Sequence, residues 1–177
     1  FDDKFFSKNI NLGLDLQGGS YLLLEIDNRP VITQKLQAKI IELKRYFKEK
    51  QITLKNFSLK GDTISFETTD NEIETVKNIL NDKESDVNTY YPTYKSHEFD
   101  VLEDGNLFSL NYSRYGLVLL KNSSLDQAIE IVRRRVDEVG TNEPNILKRG
   151  NDRILVELPG LDDPNRIKSL LGKTANL

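Results

Sequence analysis

The sequence predicts an α+β fold built from ferredoxin-like (split βαβ) units, with the βαββαβ order occurring twice. Three observations predict it. A nearly unbroken apolar run of strand length, Tyr21-Leu22-Leu23-Leu24-Glu25-Ile26, follows the glycine-punctuated stretch Leu12-Gly13-Leu14-Asp15-Leu16-Gln17-Gly18-Gly19-Ser20. Segments with apolar residues at helical spacing alternate with short pairs of β-patterned segments. A basic residue, a glycine turn with an acid and an alternating strand ending in Glu recur, at 60–67 and again at 149–157. A duplicated unit accounts for that recurrence, and so do two ordinary hairpins, because such turns are common. The expected units are residues 1–104 and residues 105–177, the second truncated at its last strand.

Residues 1–11 mix polar and aromatic side chains and read as a frayed terminus. The apolar run at 21–26 shows little alternation, which suits a strand covered on both faces. Asn28-Arg29-Pro30 marks a helix start, since proline is tolerated in a first turn. Ile32, Leu36, Ile40, Leu43 and Phe47 then form one stripe through 31–49, opposite Lys35, Lys39, Lys44, Lys48 and Lys50. Residues 53–59 and 63–67 form a hairpin about Lys60-Gly61-Asp62, with Ile64 and Phe66 on one side. Thr69 and Glu72 have capping-box spacing ahead of a short helix whose inner face is Ile73, Val76 and Leu80. Residues 87–91 are the closing strand of this first unit, and 92–105 a connection.

The second half repeats the order. Residues 107–112 are strand-like after Asp104-Gly105-Asn106, while 117–120 suit either a strand or the first turns of a helix. Ser124 and Gln127 form another capping box. Leu125, Ala128, Ile129, Val132, Val136 and Val139 make the cleanest apolar stripe, stopped at Gly140. A second hairpin covers 145–158, and Asp163-Pro164 opens a last helix ending at Gly172. Element order leaves open whether the two units share strands. The apolar run at 21–26 favours a strand buried within a larger assembly, and pairing of the first strand with elements of the second half stays open.

Composition narrows the function classes. Net charge is −3, with 30% charged residues of mixed sign, so no overall basic field attracts nucleic acid. There is no cysteine and a single histidine, His97, so a usual zinc site has too few ligands and no catalytic triad is indicated. Gly13 and Gly18 have the spacing of a phosphate-binding loop, but Gly19 stands where that loop needs its lysine, and a strand follows instead of a helix. The expectation is no catalytic residue, no cofactor and no metal. Gly18-Gly19 then serve a bend, and Asp15 bonds local backbone amides. Arg133-Arg134-Arg135 lie within a helix at i,i+4 spacing from acids: Arg133 with Asp137, and Arg134 with Glu130 and Glu138. The crowd Tyr90, Tyr91, Tyr94, Phe99, Phe108, Tyr112 and Tyr115 reads mainly as packing. Any of them exposed on one face would suit contact with an unfolded chain.

Two blocks also carry a resemblance. The first is LGLDLQGG with its leucine-rich strand at 12–27. The second is IEIVRRRVDEVG at 129–140, Glu143-Pro144, DRILVELPG at 152–160 and Leu171-Gly172-Lys173-Thr174-Ala175. In this order and spacing they resemble the first periplasmic domain of the SecD family, accessory subunits of the bacterial Sec protein-export translocase. The resemblance is dense at 12–27 and 125–175 and thin at 30–120. It implies an inner-membrane protein of the resistance-nodulation-division superfamily, with this part on the periplasmic side. It implies SecF, the SecYEG channel, YajC and unfolded exported polypeptides as partners. It further implies a non-enzymatic role in proton-motive-force-driven export: contact with the translocating polypeptide and transmission of conformational change. Gly13, Asp15, Gly18 and Gly19 would set a hinge on a preceding membrane helix, and Gly140, Pro159, Gly160 and Gly172 would form a second family motif. The start at Phe1 without any methionine fits a piece whose membrane helices lie outside it, with a head subdomain downstream of residue 177. The rival readings on the same fold are an RNA-binding module and an acylphosphatase-like enzyme. The first needs stacking aromatics in a motif of which 60–66 has the opening Lys-Gly pair and little else, and the second an anion loop with an arginine aimed into it.

Overall fold

The computed structural model describes residues 6–15, 19–138 and 143–160, with side chains from residue 21 onward. The chain is α+β. In order it runs β1 (Phe6–Asp15), β2 (Gly19–Ile26), α1 (Arg29–Glu49), β3 (Lys55–Lys60) and β4 (Thr63–Glu67). A single 3-10 turn (Asp70–Glu72) precedes α2 (Ile73–Asn81), β5 (Tyr90–Tyr91), β6 (Ser96–His97), β7 (Phe99–Asp104) and β8 (Leu107–Tyr112). Then come α3 (Arg114–Asp137), β9 (Asn145–Arg149) and β10 (Arg153–Pro159).

The chain forms two units. One joins Phe1–Val31 to Leu120–Leu177, and the other is Ile32–Leu119. The first holds a sheet in the order β1-β2-β10-β9, the second a sheet in the order β3-β4-β8-β7, and all pairings are antiparallel. Each sheet therefore has one plan: two consecutive strands, a helix, two more strands, and the last strand next to the second. The second unit is inserted between β2 and α3 of the first. The boundary expected after residue 104 is corrected, because it would part β7 from β8, which pair from Phe99↔Tyr112 to Asp104↔Leu107. The question of shared strands, left open by element order, is decided: β2 pairs with β10, a strand of the second half, and not with the 53–67 hairpin. The recurrent turns at 60–67 and 149–157 also occupy different places. The former closes the first hairpin of its sheet and the latter the last hairpin of its own.

In the discontinuous unit, α3 covers one sheet face. Leu22, Leu24 and Ile26 of β2 and Ile154, Val156 and Leu158 of β10 meet Leu125, Ala128, Ile129, Val132 and Val136 of the helix. Buried helix positions at i, i+3, i+4, i+7 and i+11 against alternate strand positions are what an amphipathic helix on a sheet requires. Each such aliphatic side chain removed from water contributes roughly 1.5–3 kcal/mol. Leu23, on the opposite face, is only half-buried, so cover on both faces of this strand holds in part. Residues 6–11, read as part of a frayed end, are corrected: with 12–15 they form β1, paired with β2 through Phe6↔Ile26 and Ile10↔Leu24 to Asp15↔Gly19.

In the continuous unit, Ile64, Phe66, Phe108 and Leu110 share one sheet face and are buried, as are Ile32, Leu36, Leu43 and Phe47 of α1 and Val76 and Leu80 of α2. Phe57, Phe66 and Phe108 stack across three strands at 5.1 and 5.7 Å between centroids. Several expectations change. Lys39 does not belong to the solvated lysine face: its ammonium is largely buried, 3.0 Å from Glu42 and 3.4 Å from Glu98. The closing strand at 87–91 shrinks to Tyr90–Tyr91, paired with Ser96–His97, while 99–104, read as connection, is a full edge strand. The long helix begins at Arg114, well before Ser124. Ser113 caps it, its hydroxyl accepting the Gly116 N–H at 3.0 Å and donating to the His97 carbonyl at 2.6 Å. Ser124 lies inside that helix, buried. The Thr69–Glu72 pair also departs from a capping box: Thr69 donates its hydroxyl to the Glu72 carboxylate at 2.6 Å and caps no backbone N–H.

Candidate functional site

Of the residues singled out from the two sequence blocks, Gly13, Asp15, Gly19, Pro159 and Gly160 lie toward one end of the β1-β2-β10 strands. Asp15 pairs with Gly19, and Gly19 with Pro159, so the three sit in one row across three strands. Gly13 lies two positions back along β1, opposite Tyr21. Gly160 follows Pro159 with φ +75°, where a side chain would be strained. Gly18, Gly140 and Gly172, the carboxylate of Asp15 and the helix expected after Asp163 lie outside the described residues and side chains. The row was not foreseeable from either block alone. Its cue was the matching strand length of 19–26 and 153–159.

The register continues to the other end of the strands, where Glu25 faces Arg153 and the Ile26 N–H donates to the Asp152 carbonyl at 2.7 Å. Away from α3, Leu23, Leu155 and Leu147 form a cross-strand row beside Tyr21, which is 42% exposed. At the exit from β2, Asp27 accepts the Arg29 N–H at 3.0 Å and its guanidinium at 2.6 Å. That side-chain bond holds the Asp27 carboxyl below its usual range. This end of the molecule thus offers backbone geometry, an apolar row and one local ion pair.

The other residues weighed in the sequence are dispersed. The His97 ring nitrogen meets the Asp82 carbonyl at 3.0 Å and its ring packs on Tyr90. Arg133 pairs with Glu130 at 2.7 Å, one turn back, in place of the expected Asp137. Tyr94 and Tyr115 stack at 4.7 Å and are both partly exposed, whereas Phe99 and Phe108 are buried. Burial raises the pKa of Tyr112 and Tyr91, with Glu98 adding to both. Among the described residues no three His, Cys, Asp or Glu side chains are grouped to hold a metal ion. No helix among them is long and apolar enough to cross a membrane.

Comparison with known proteins falls on the same strands. A family model for the SecD/SecF GG motif matches residues 5–28, the β1–β2 region. A model for the N-terminal part of the P1 domain of protein translocase subunit SecDF matches residues 125–177, which include most of α3 with β9 and β10. Neither model reaches the inserted unit. Whole-chain relatives do. The protein translocase subunit SecD of Rickettsia bellii is 36% identical over 170 residues, 96% of this chain and 31% of that protein. The SecD of Acetobacter pasteurianus is 36% identical over 175 residues, 96% of this chain and 32% of that protein. The SecD of Syntrophobacter fumaroxidans is 32% identical over 177 residues, 98% and 32%. No solved structure matches the chain. The chain spans about a third of the length of these relatives. Two family models meeting in one sheet, and relatives aligned along nearly the whole sequence, place this chain in the SecD family of protein translocase subunits.

Proposed function

We propose that this chain is the periplasmic part of an inner-membrane SecD subunit and that it aids proton-motive-force-driven protein export. It touches the translocating polypeptide and passes conformational change between that chain and the membrane. The observation that carries the reading is the Asp15–Gly19–Pro159 row, where the two family-matched segments are adjacent strands. Gly13, Asp15, Gly18 and Gly19 act as the hinge at which the domain is hung, and Pro159 and Gly160, with Gly140 and Gly172, set the turns of its second motif. Proline fixes φ at the strand end, and glycine at positive φ allows the sharp bend beside it. The role is mechanical, with no covalent step. SecF, the SecYEG channel and YajC are its partners. The βαββ run of each unit, with its last strand beside the second, is read as part of a split βαβ arrangement.

The test is site-specific photo-crosslinking in the full-length protein during export, with probes at exposed Tyr21, Leu102 and Tyr94. Adducts with the exported polypeptide that vanish when the proton-motive force is collapsed are expected. Adducts with Sec subunits alone would make this part a scaffold and remove polypeptide contact from its role.

A further inference from the structure

The inserted unit has two free sheet edges, and they are built differently. At β3 the register slips between Lys55 and Ser58, Asn56 takes φ +54°, and lysines stand at both ends. Bulges and lysines are the devices that keep another strand from adding to an edge. The β7 edge has neither. Its hairpin closes on Asp104↔Leu107 through the two-residue turn Gly105-Asn106. In such a hairpin the pair flanking the turn is hydrogen-bonded and the bonding alternates from there. Asp104, Leu102 and Asp100 therefore bond to β8, while Glu103, Val101 and Phe99 turn their N–H and C=O outward.

Asn88 bears this parity out. Its side chain accepts the Phe99 N–H at 2.9 Å and donates to the Phe99 carbonyl at 3.0 Å. A third bond, to the Leu80 carbonyl at 2.9 Å, fixes that amide, which is fully buried. Asn88 thus stands where the backbone of a neighbouring strand would stand, for one residue only. Beyond it, the outward backbone groups of Val101 and Glu103 have no partner among the described residues. On the face away from the helices this strand presents Asp100, Leu102 and Asp104, all exposed, with Leu102 at 64%. Asp100 and Asp104 take part in no ion pair among the described residues, whereas Glu103, on the helix side, is paired with Lys77 at 3.0 Å.

We propose that β7 is a strand-addition edge that takes an extended segment of unfolded polypeptide in which two basic residues flank an apolar one at alternate positions. Backbone bonds to Val101 and Glu103 supply sequence-independent affinity. The acid–leucine–acid row selects the complementary basic–apolar–basic row. This rests on the polypeptide-contact reading above and gives it a location and a preference.

The test uses the isotope-labelled 177-residue chain and two unstructured peptides of equal length, one with a Lys-Thr-Leu-Thr-Lys core and one with Glu replacing both lysines. The expected result is slowed amide exchange at Val101 and Glu103 with the lysine peptide, and affinity at least about fivefold above the glutamate peptide, shrinking with added salt. Val101→Pro removes one edge donor at a position where proline is tolerated, and should abolish the slowing. The exposed double change Asp100→Lys with Asp104→Lys should invert the preference while the melting temperature stays within a few degrees. Binding that survives Val101→Pro, no binding of the lysine peptide, or protection only at other residues would overturn the proposal. Protection at other residues, together with crosslinks to exported chains in the full-length protein, would leave the broader reading standing and move its site.

Discussion

At the scale of single residues, two buried polar side chains make opposite cases. Asn88 satisfies three backbone groups, so Asn88→Ala strands a donor and two acceptors in the interior. The expected loss is about 3 kcal/mol in denaturant unfolding, with an unchanged slope against denaturant. The Ser124 hydroxyl is buried inside α3 with no hydrogen-bond partner among the described residues. Ser124→Ala removes that unmade bond and adds helix propensity, so stability should rise by about 1 kcal/mol. Glu72 supplies the pH dependence. The Thr69 hydroxyl first, then the Thr53 N–H and the Thr68 hydroxyl, hold its carboxyl below the usual range. A depressed carboxylate contributes stability above its unfolded pKa of about 4.3, which is lost as pH falls through the lower folded value. Glu72→Gln should therefore weaken the fold at neutral pH and match the wild type in strong acid, as read from urea midpoints across that range. Spacing in the sequence paired Thr69 with Glu72 correctly but assigned the bond to a cap. Which atom the hydroxyl reaches depends on how residue 53 is brought in.

At the scale of elements, α3 shows where local signals compete. Its apolar stripe from Leu125 to Val136 was legible because helical periodicity is local. Its start was not, because Ser113 and Ser124 are equally good caps by composition. Contact with another segment decides between them. Gly116 lies so close to the Glu98 carbonyl oxygen that a Cβ would overlap it. Only a helix already formed at that point fits there. In an exposed helix Gly→Ala gains about 1 kcal/mol. Here the overlap with fixed backbone costs about 1–3 kcal/mol or more and outweighs it. Gly116→Ala should thus lower the thermal midpoint by several degrees, an outcome opposite in sign to the propensity effect.

For the whole molecule, the insertion matters most. The segment Ile32–Leu119 contains a complete four-stranded sheet with its own buried face, and expressed alone it should unfold in one cooperative transition. The outer unit is discontinuous, and its central strand β2 comes from the N-terminal piece. Deleting residues 1–27 removes Leu22, Leu24 and Ile26 from that core, at roughly 1.5–3 kcal/mol each, more than a marginal unit can lose. Hydrogen exchange should then show unprotected amides at 145–158 and retained protection at 63–67 and 107–112. The candidate site was legible as two separate blocks and not as a place, since nothing in either block states that Gly19 faces Pro159.

By itself the sequence determined the α+β class, the glycine turns at 61 and 150, the buried stripes of α1, α2 and α3, and the apolar strand at 21–26. These follow from near-neighbour sterics and from side-chain periods of two or 3.6 residues, which any short window contains. Only the tertiary structure decided that β2 lies beside β10, that one unit interrupts the sequence of the other, and that β1 and β7 are strands at sheet edges. Strand backbones carry the same donors and acceptors whatever their sequence. Pairing is therefore selected by which distant apolar faces can be buried together, and that choice exists only once the whole chain is assembled.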